Sequence, residues 1–140
     1  MRSLLANTHA TVLIAHHRSR PVGCGIGLIR RHTSGVSARI YSVAVLPDAR
    51  GMGVGRCLAE ALLLEFARAG ARRTYLEVRV ENSPAIALYE SLGFRRVSAL
   101  PDYYARGQHG LRFCRSLETG DLVLSSPPEH HELQDSCRFD

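Results

Sequence analysis

ARIYSVAVLPDARGMGVGRCLAEALLLEFARAG, residues 38–70, changes its structural period midway, and that change decides the fold. Residues 38–46 are nearly all apolar and stop at Pro47-Asp48, the pattern of a strand covered on both faces in the middle of a sheet. Beyond the glycines, Val54, Cys57, Leu58, Ala61 and Leu62 recur at i, i+3, i+4, i+7 and i+8. This stripe predicts an amphipathic helix, with Arg56 and Glu60 paired i,i+4 on its outer side and Gly70 closing it as a left-handed cap. Residues 73–80 (RTYLEVRV) then alternate, with Leu76, Val78 and Val80 on one face and Tyr75, Glu77 and Arg79 on the other. Strand, helix and strand make a right-handed parallel crossover.

The same reading extends in both directions. Ser83 is a natural N-cap with Pro84 at the first helical position, and Ala85, Leu88, Tyr89 and Leu92 line one face until Gly93 ends the helix beside Phe94. Upstream, residues 10–16 and 22–30 predict a hairpin across the polar turn His17-Arg18-Ser19-Arg20-Pro21. Gly23, Gly25 and Gly27 alternate on one face of its second strand, which fits the close approach of a backbone or ligand and equally a twisted or bulged strand. Downstream, residues 94–100 and 109–117 predict two short strands joined by the loop Pro101-Asp102-Tyr103-Tyr104-Ala105-Arg106-Gly107. The fold class is α/β, in one domain over residues 1–117. Residues 118–140 are acidic, with Leu122-Val123-Leu124 as their only apolar run, and read as a mobile tail.

Composition narrows the function. At 140 residues and 45% hydrophobic content the chain can bury a core. No apolar run is long enough to span a bilayer, and the N-terminus lacks the apolar stretch of a signal peptide, so the cytoplasm is the expected compartment and no membrane partner is expected. All 18 basic residues counted as Lys+Arg are arginines, which excludes a Walker phosphate loop because that loop ends in Gly-Lys-Ser/Thr. Residues 1–115 hold seventeen arginines against seven acids, net +10, so the body favours anionic partners. The arginines are dispersed, with only doublets at Arg72-Arg73 and Arg95-Arg96, and direct nucleic-acid binding is not expected. Cys24, Cys57, Cys114 and Cys137 are far apart and read as reduced thiols, and no metal site is expected.

The chemistry gathers at Arg50-Gly51-Met52-Gly53-Val54-Gly55-Arg56, between the buried strand and the long helix. Glycines there let backbone N–H groups turn toward one point, and the helix N-terminus adds partial positive charge, which together make a diphosphate cradle. The dinucleotide fingerprint GxGxxG fails in every register, since the last position is Arg56 counted from Gly51 and Leu58 counted from Gly53. A plain flexible turn between strand and helix is the other reading.

Arg50-x-x-Gly53-x-Gly55 resembles the Q/R-x-x-G-x-G/A acetyl-coenzyme A signature of the GNAT acetyltransferases. LEVRVENSPAIALYESLGF, residues 76–94, is similar to the RimI branch, whose members acetylate the N-terminal amine of a ribosomal protein. The resemblance covers roughly residues 40–115 and implies an α+β mixed sheet with the acyl-CoA N-acyltransferase fold, in which two central parallel strands splay apart and the cofactor lies in the gap. It implies that the backbone of Val43, Ala44 and Val45 binds the pantetheine arm and that the N–H groups from Gly51 and Met52 through Gly53, Val54, Gly55 and Arg56, with Arg50 at the head of the motif, hold the pyrophosphate. Asn82 matches an asparagine that contacts the cofactor, and fits helix capping beside Ser83 equally well.

Glu77 matches the general base of the RimI branch, and its apolar neighbours suggest burial that would raise its pKa toward neutrality. An ion pair with Arg79 on the same face is the structural alternative. Tyr89 matches the residue that protonates the departing thiolate, and its position also suits a core aromatic. Tyr103 and Tyr104 resemble a tyrosine pair near the acceptor groove, and fit loop anchors as well. The implied reaction is transfer of the acetyl group of acetyl-CoA to a primary amine, a peptide or protein N-terminus, with a ribosomal protein among the acceptors. A small-molecule amine acetyltransferase and a catalytically weak acyl-CoA-binding module are the alternatives. Relatives carry a strand and one or two helices before the first hairpin, whereas about ten residues precede it here, of which Arg2-Ser3-Leu4-Leu5-Ala6 looks like a helix stub. The expected fold therefore lacks those elements, and the edge at residues 10–16 invites pairing with a second copy as a homodimer.

Overall fold

The computed structural model describes residues 8–117 and the backbone of Arg138–Phe139; the stub at residues 2–6 and the rest of the acidic tail lie outside the described residues. Strands β1 (Thr8–His17) and β2 (Arg20–His32) form the expected hairpin. Its turn residues Arg18 and Ser19 both take positive φ, as tight two-residue hairpins require. Strand β3 (Gly35–Val45) pairs antiparallel with β2, and a 3₁₀ turn at Pro47–Ala49 leads through the glycines into helix α1 (Val54–Arg68). Gly70, at φ +88°, reverses the chain into β4 (Ala71–Arg79), followed by α2 (Ser83–Ser91), β5 (Arg95–Ala105) and β6 (Gln108–Ser116). The sheet order is β5-β6-β4-β3-β2-β1-β7, with β7 at Arg138–Phe139, and β3 with β4 is its parallel pair. This is the expected mixed sheet.

Both helices feed one core. Ala59, Leu62, Leu63 and Phe66 of α1 and Tyr89 of α2 pack with Ile29, Ile40, Leu76, Val78, Leu111 and Phe113 of the strands. The three strand glycines lie beneath α1. A Cβ on Gly23 would stand 2.9 Å from Val54 Cγ1, and one on Gly27 only 2.5 Å from Phe66 Cζ, so the close approach of the helix explains their alternation.

Four expectations need correction. Strand β3 lies mid-sheet but is not covered on both faces: with the helices on one side, Tyr41 is 67% exposed and Ala44 is exposed as well. The expected loop at residues 101–107 is mostly strand, because β5 runs on to Ala105 through a wide bulge in which residues 101–104 face the single residue His109. The bulge is held by the Asp102 N–H donating to His109 Nδ1 (3.0 Å) and the Gly107 N–H donating to Asp102 Oδ1 (2.7 Å). The cap of α2 is Asn82 and not Ser83; its Oδ1 accepts from the Ala85 N–H at 3.3 Å. Lastly, the β1 edge is not wholly unpaired, since β7 joins it antiparallel at Ala15 and His16.

The feature that positions the site is a fork. Parallel pairing of β3 with β4 runs from Val36 opposite Ala71 to Arg39 opposite Tyr75 and ends there, although both strands continue. Just past Arg39 the register with β2 slips, Ile26 facing Ser42 and Gly27 facing Ile40, so Tyr41 is the extra residue of a β-bulge. A bulge bends its strand and sharpens the twist. It swings the second half of β3 away from β4, which stays with β6 through Arg79 opposite Gly110.

Candidate active site

The fork opens toward the glycine turn. Gly51 and Gly53 take φ of +82° and +81°, the left-handed conformation that glycine adopts without strain, and beyond the adjoining residues no protein atom lies within 4 Å of where a Cβ would stand on either. Val54, 1% exposed, fastens the turn into a small core with Val22, Ala49 and Leu58. The first ladder bond of α1 joins the Cys57 N–H to the Gly53 carbonyl (3.0 Å), so the N–H groups of Val54, Gly55 and Arg56 have no acceptor within the helix, and the Gly53 cap has no side chain to supply one. Gly55 lies across from Val43 and Val45, whose Cγ atoms would be 4.0 and 3.8 Å from a Cβ there. The structure thus brings the β3 segment at residues 43–45 and the glycine turn together at one end of the fork.

The arginines of the motif are turned to neighbouring elements. Arg50 Nε donates to the Val45 carbonyl at 3.3 Å. The Arg56 guanidinium donates to Ser91 Oγ of α2 and lies 4.0 Å from Glu60, the expected i,i+4 partner. Met52 is 40% exposed beside the open turn. Asn82 has its side-chain oxygen occupied by capping, which leaves the amide NH₂ for other partners.

Glu77 sits where the fork begins, 10% exposed, on the sheet face away from the helices. The alternative pairing with Arg79 is not what forms. One carboxylate oxygen accepts from Arg39 Nη1, across the fork on β3, and the other from Arg112 Nε (2.8 Å), directly opposite on β6. Arg79 instead donates to Gln108 Oε1 (2.8 Å) and stacks its guanidinium 4.5 Å from the centre of the Tyr104 ring. Arg39 and Arg112 were not singled out from the sequence. Arg39 nevertheless carries a signal, as the lone charge in an otherwise uncharged strand. Arg112 carries none, because its meeting with Glu77 depends on the register of β6 against β4.

Tyr103 and Tyr104 stand on the same face within the β5 bulge, edge to face with ring centres 5.0 Å apart. They lie over Gly110, where a Cβ would be 3.0 Å from Tyr104 Cε2. Burial first, then the neighbouring Tyr103 and Glu77, pushes the Tyr104 phenol above its ordinary range. The Arg112 guanidinium is held above its ordinary value mainly by its hydrogen bond to Glu77, and Tyr103 adds to this. Glu77, Arg112, Tyr103 and Tyr104 therefore form one cluster.

Tyr89 belongs to the other side. It is 8% exposed in the core beneath the helices, edge to face with Phe94 at 5.6 Å. Burial pushes its phenol up to about 12. Glu77 and Tyr89 are thus on opposite faces of the sheet. Among the described residues no three His, Cys, Asp or Glu side chains are placed to hold a metal, and no helix is long and apolar enough to cross a membrane.

Comparison with known proteins agrees with this geometry. The chain is similar to the ribosomal protein bS18-alanine N-acetyltransferase of Escherichia coli (strain K12), 45% identical over 67 residues that cover 48% of this chain and 45% of that protein. The crystal structure of the ribosomal-protein-S18-alanine N-acetyltransferase from Escherichia coli superposes with a TM-score of 0.68 at 28% identity, over 79% of this chain and 70% of that one. A structure of the NatC complex bound to Gag peptide and CoA superposes with a TM-score of 0.67 at 29% identity, over 70% and 62% of the two chains. The chain spans about half or less of the length of curated relatives it matches. Residues 1–94 match the model of the acetyltransferase (GNAT) family, and with the forked sheet and its glycine turn this chain belongs to that family.

Proposed function

We propose that this chain transfers the acetyl group of acetyl-CoA to the α-amine of a peptide or protein N-terminus, by direct attack within a ternary complex. The observation that carries the reading is the fork: a gap beside the part of β3 that leaves β4, ending over three helix N–H groups without an intrahelical acceptor, with Glu77 at its base. The gap accommodates an extended pantetheine arm as an added strand along Val43, Ala44 and Val45. The left-handed glycines and the α1 N-terminus suit the diphosphate, and the open space above Gly51 and Gly53 leaves room for it. CoA in the related NatC complex and the ribosomal-protein alanine acceptor named for the bacterial relative support the same assignment.

Acetyl-CoA supplies an acyl carbon already activated as a thioester. The acceptor nitrogen attacks that carbon, the new C–N bond forms and the C–S bond breaks. Glu77 takes the proton the amine loses, directly or through a water, while Arg39 and Arg112 hold its carboxylate in place. Tyr89 returns a proton to the sulfur. With its phenol near 12, donation to a thiolate of ordinary pKa ~8.5 is uphill by about 5 kcal/mol, so the core side of the fork must desolvate the sulfur as it desolvates the phenol. Tyr103 and Tyr104 flank the approach of the acceptor. A ribosomal protein is one acceptor of this class. The unbridged thiols Cys24 and Cys114 fit a reducing compartment, and we propose the cytoplasm as the place of the reaction.

The test is thiol release from acetyl-CoA in the presence of peptides, with mass spectrometry locating the acetyl group. Acetylation of the α-amine is the expected result. Binding of acetyl-CoA with no turnover of any amine would select the acyl-CoA-binding module instead.

A further inference from the structure

We infer that the acceptor carries a carboxylate of its own: the groove floored by Glu77 takes N-termini with an acidic side chain at the second or third residue. The inference rests on the N-terminal acetyltransferase reading and narrows its substrate class. Two guanidiniums meet one carboxylate at Glu77, so the triad holds one uncompensated positive charge. Arg39 and Arg112 are 37% and 35% exposed, against 10% for the Glu77 they hold, and they present that charge to solvent on the acceptor side. A guanidinium has five donors, and each of these two gives one to Glu77, so both retain N–H groups that can bind a carboxylate in a fork. Arg79 adds a third guanidinium over Tyr104; the carboxylates acting on Tyr104 are Glu77 and Glu81, and Glu77 is the one acting on Arg112.

An amine delivered to Glu77 brings the rest of its peptide with it. Successive Cα atoms are ~3.8 Å apart, so the next two side chains land among the guanidiniums that bind Glu77. An acidic side chain there completes the pairing, whereas a basic one meets like charge in a partly desolvated groove.

The full chain is assayed with acetyl-CoA and three peptide series identical except for Glu, Gln or Arg at the second and third residues. The expected kcat/KM for the Glu series exceeds that for Gln by about tenfold, with Arg lower again, and the preference shrinks in high salt. Arg112→Gln and Arg39→Gln should each reduce the Glu:Gln ratio toward one, while Arg112→Lys should retain part of it. Because the readout is a ratio within one enzyme, any general loss of rate in these variants cancels, and the salt dependence of the unmodified chain needs no variant. Equal turnover of the three series, or preference for Arg, would overturn this inference and leave α-amine acetylation standing. No turnover of any peptide would overturn the reading beneath it, and this inference with it.

Discussion

Glu77 is held by both oxygens, and that sets what its replacement should do. Glu77→Gln keeps the shape but removes the proposed proton acceptor and leaves Arg39 and Arg112 facing each other without their shared counter-charge. Affinity for acetyl-CoA should be nearly unchanged, turnover should fall by about 10²–10⁴-fold, and the deficit should shrink as pH rises and more of the acceptor amine is already neutral. Steady-state rates from pH 6.5 to 9.5 check this; a wild-type rate at pH 7 would leave Glu77 a purely structural ion-pair residue. Tyr89→Phe keeps the ring packed against Phe94 and removes the proposed proton donor, so turnover should fall by a similar factor. Its stability should carry a pH signature. The folded-state phenol near 12 lies above the ordinary value of 10, so the folded protein retains a proton that the unfolded chain loses. Tyr89 therefore costs nothing below about pH 10 and lowers stability progressively between about pH 10 and 12. Urea unfolding at pH 9 and pH 11.5 should show a larger fall for the unmodified chain than for Tyr89→Phe, and equal falls would place the phenol in solvent. Glu77 and Tyr89 were legible because they sit in a recognisable local pattern. The partners of Glu77 were not, because Arg39 and Arg112 reach it across strands 35 or more residues apart in the chain.

Among the elements, β2 shows how tightly α1 is set on the sheet. A Cβ at Gly27 meets the Phe66 ring at 2.5 Å, and Phe66 is 0% exposed, so the ring has little room to yield. Gly27→Ala should destabilise the fold by about 1–3 kcal/mol, the usual cost of overfilling a core, although alanine is otherwise the better strand residue. Gly25→Ala, with 3.3 Å to Leu62 Cδ1, should cost distinctly less. Chemical denaturation of the two variants checks the order, and equal midpoints would mean that the helix shifts freely over the strand. The alternation of these glycines was visible in the sequence, but whether helix or ligand lay over them was not, since that depends on where α1 packs. The α1 stripe from Val54 and the crossover into β4 were readable from period alone. The extension of β5 through Pro101 was not: proline and Asp102 read locally as a loop, and the strand continues because the residues 101–104 bulge out while Ala105 regains its partner Gln108. The α2 cap moved by one residue because Asn82 and Ser83 both suit an N-cap and only the geometry chooses between them.

At the scale of the molecule, the sheet is a device for holding two strands together at one end and apart at the other. The parallel crossover followed from the succession of periods, and the mixed sheet and its gap were implied by family resemblance. Its physical cause, the bulge at Tyr41, lies in a run of apolar residues that gives no local sign of an extra one. With the gap come the glycine turn and the free N–H groups of α1, and the account stands on their binding an acetyl-CoA diphosphate. The most direct test is calorimetric titration of acetyl-CoA into the unmodified chain and into Gly53→Glu and Gly70→Glu. Both glycines take left-handed φ, +81° and +88°, with open space around them, so the two substitutions add comparable backbone strain and the same charge at opposite ends of α1. The account predicts that the unmodified chain and Gly70→Glu bind while Gly53→Glu, though folded, does not. Equal affinity in all three proteins would contradict it.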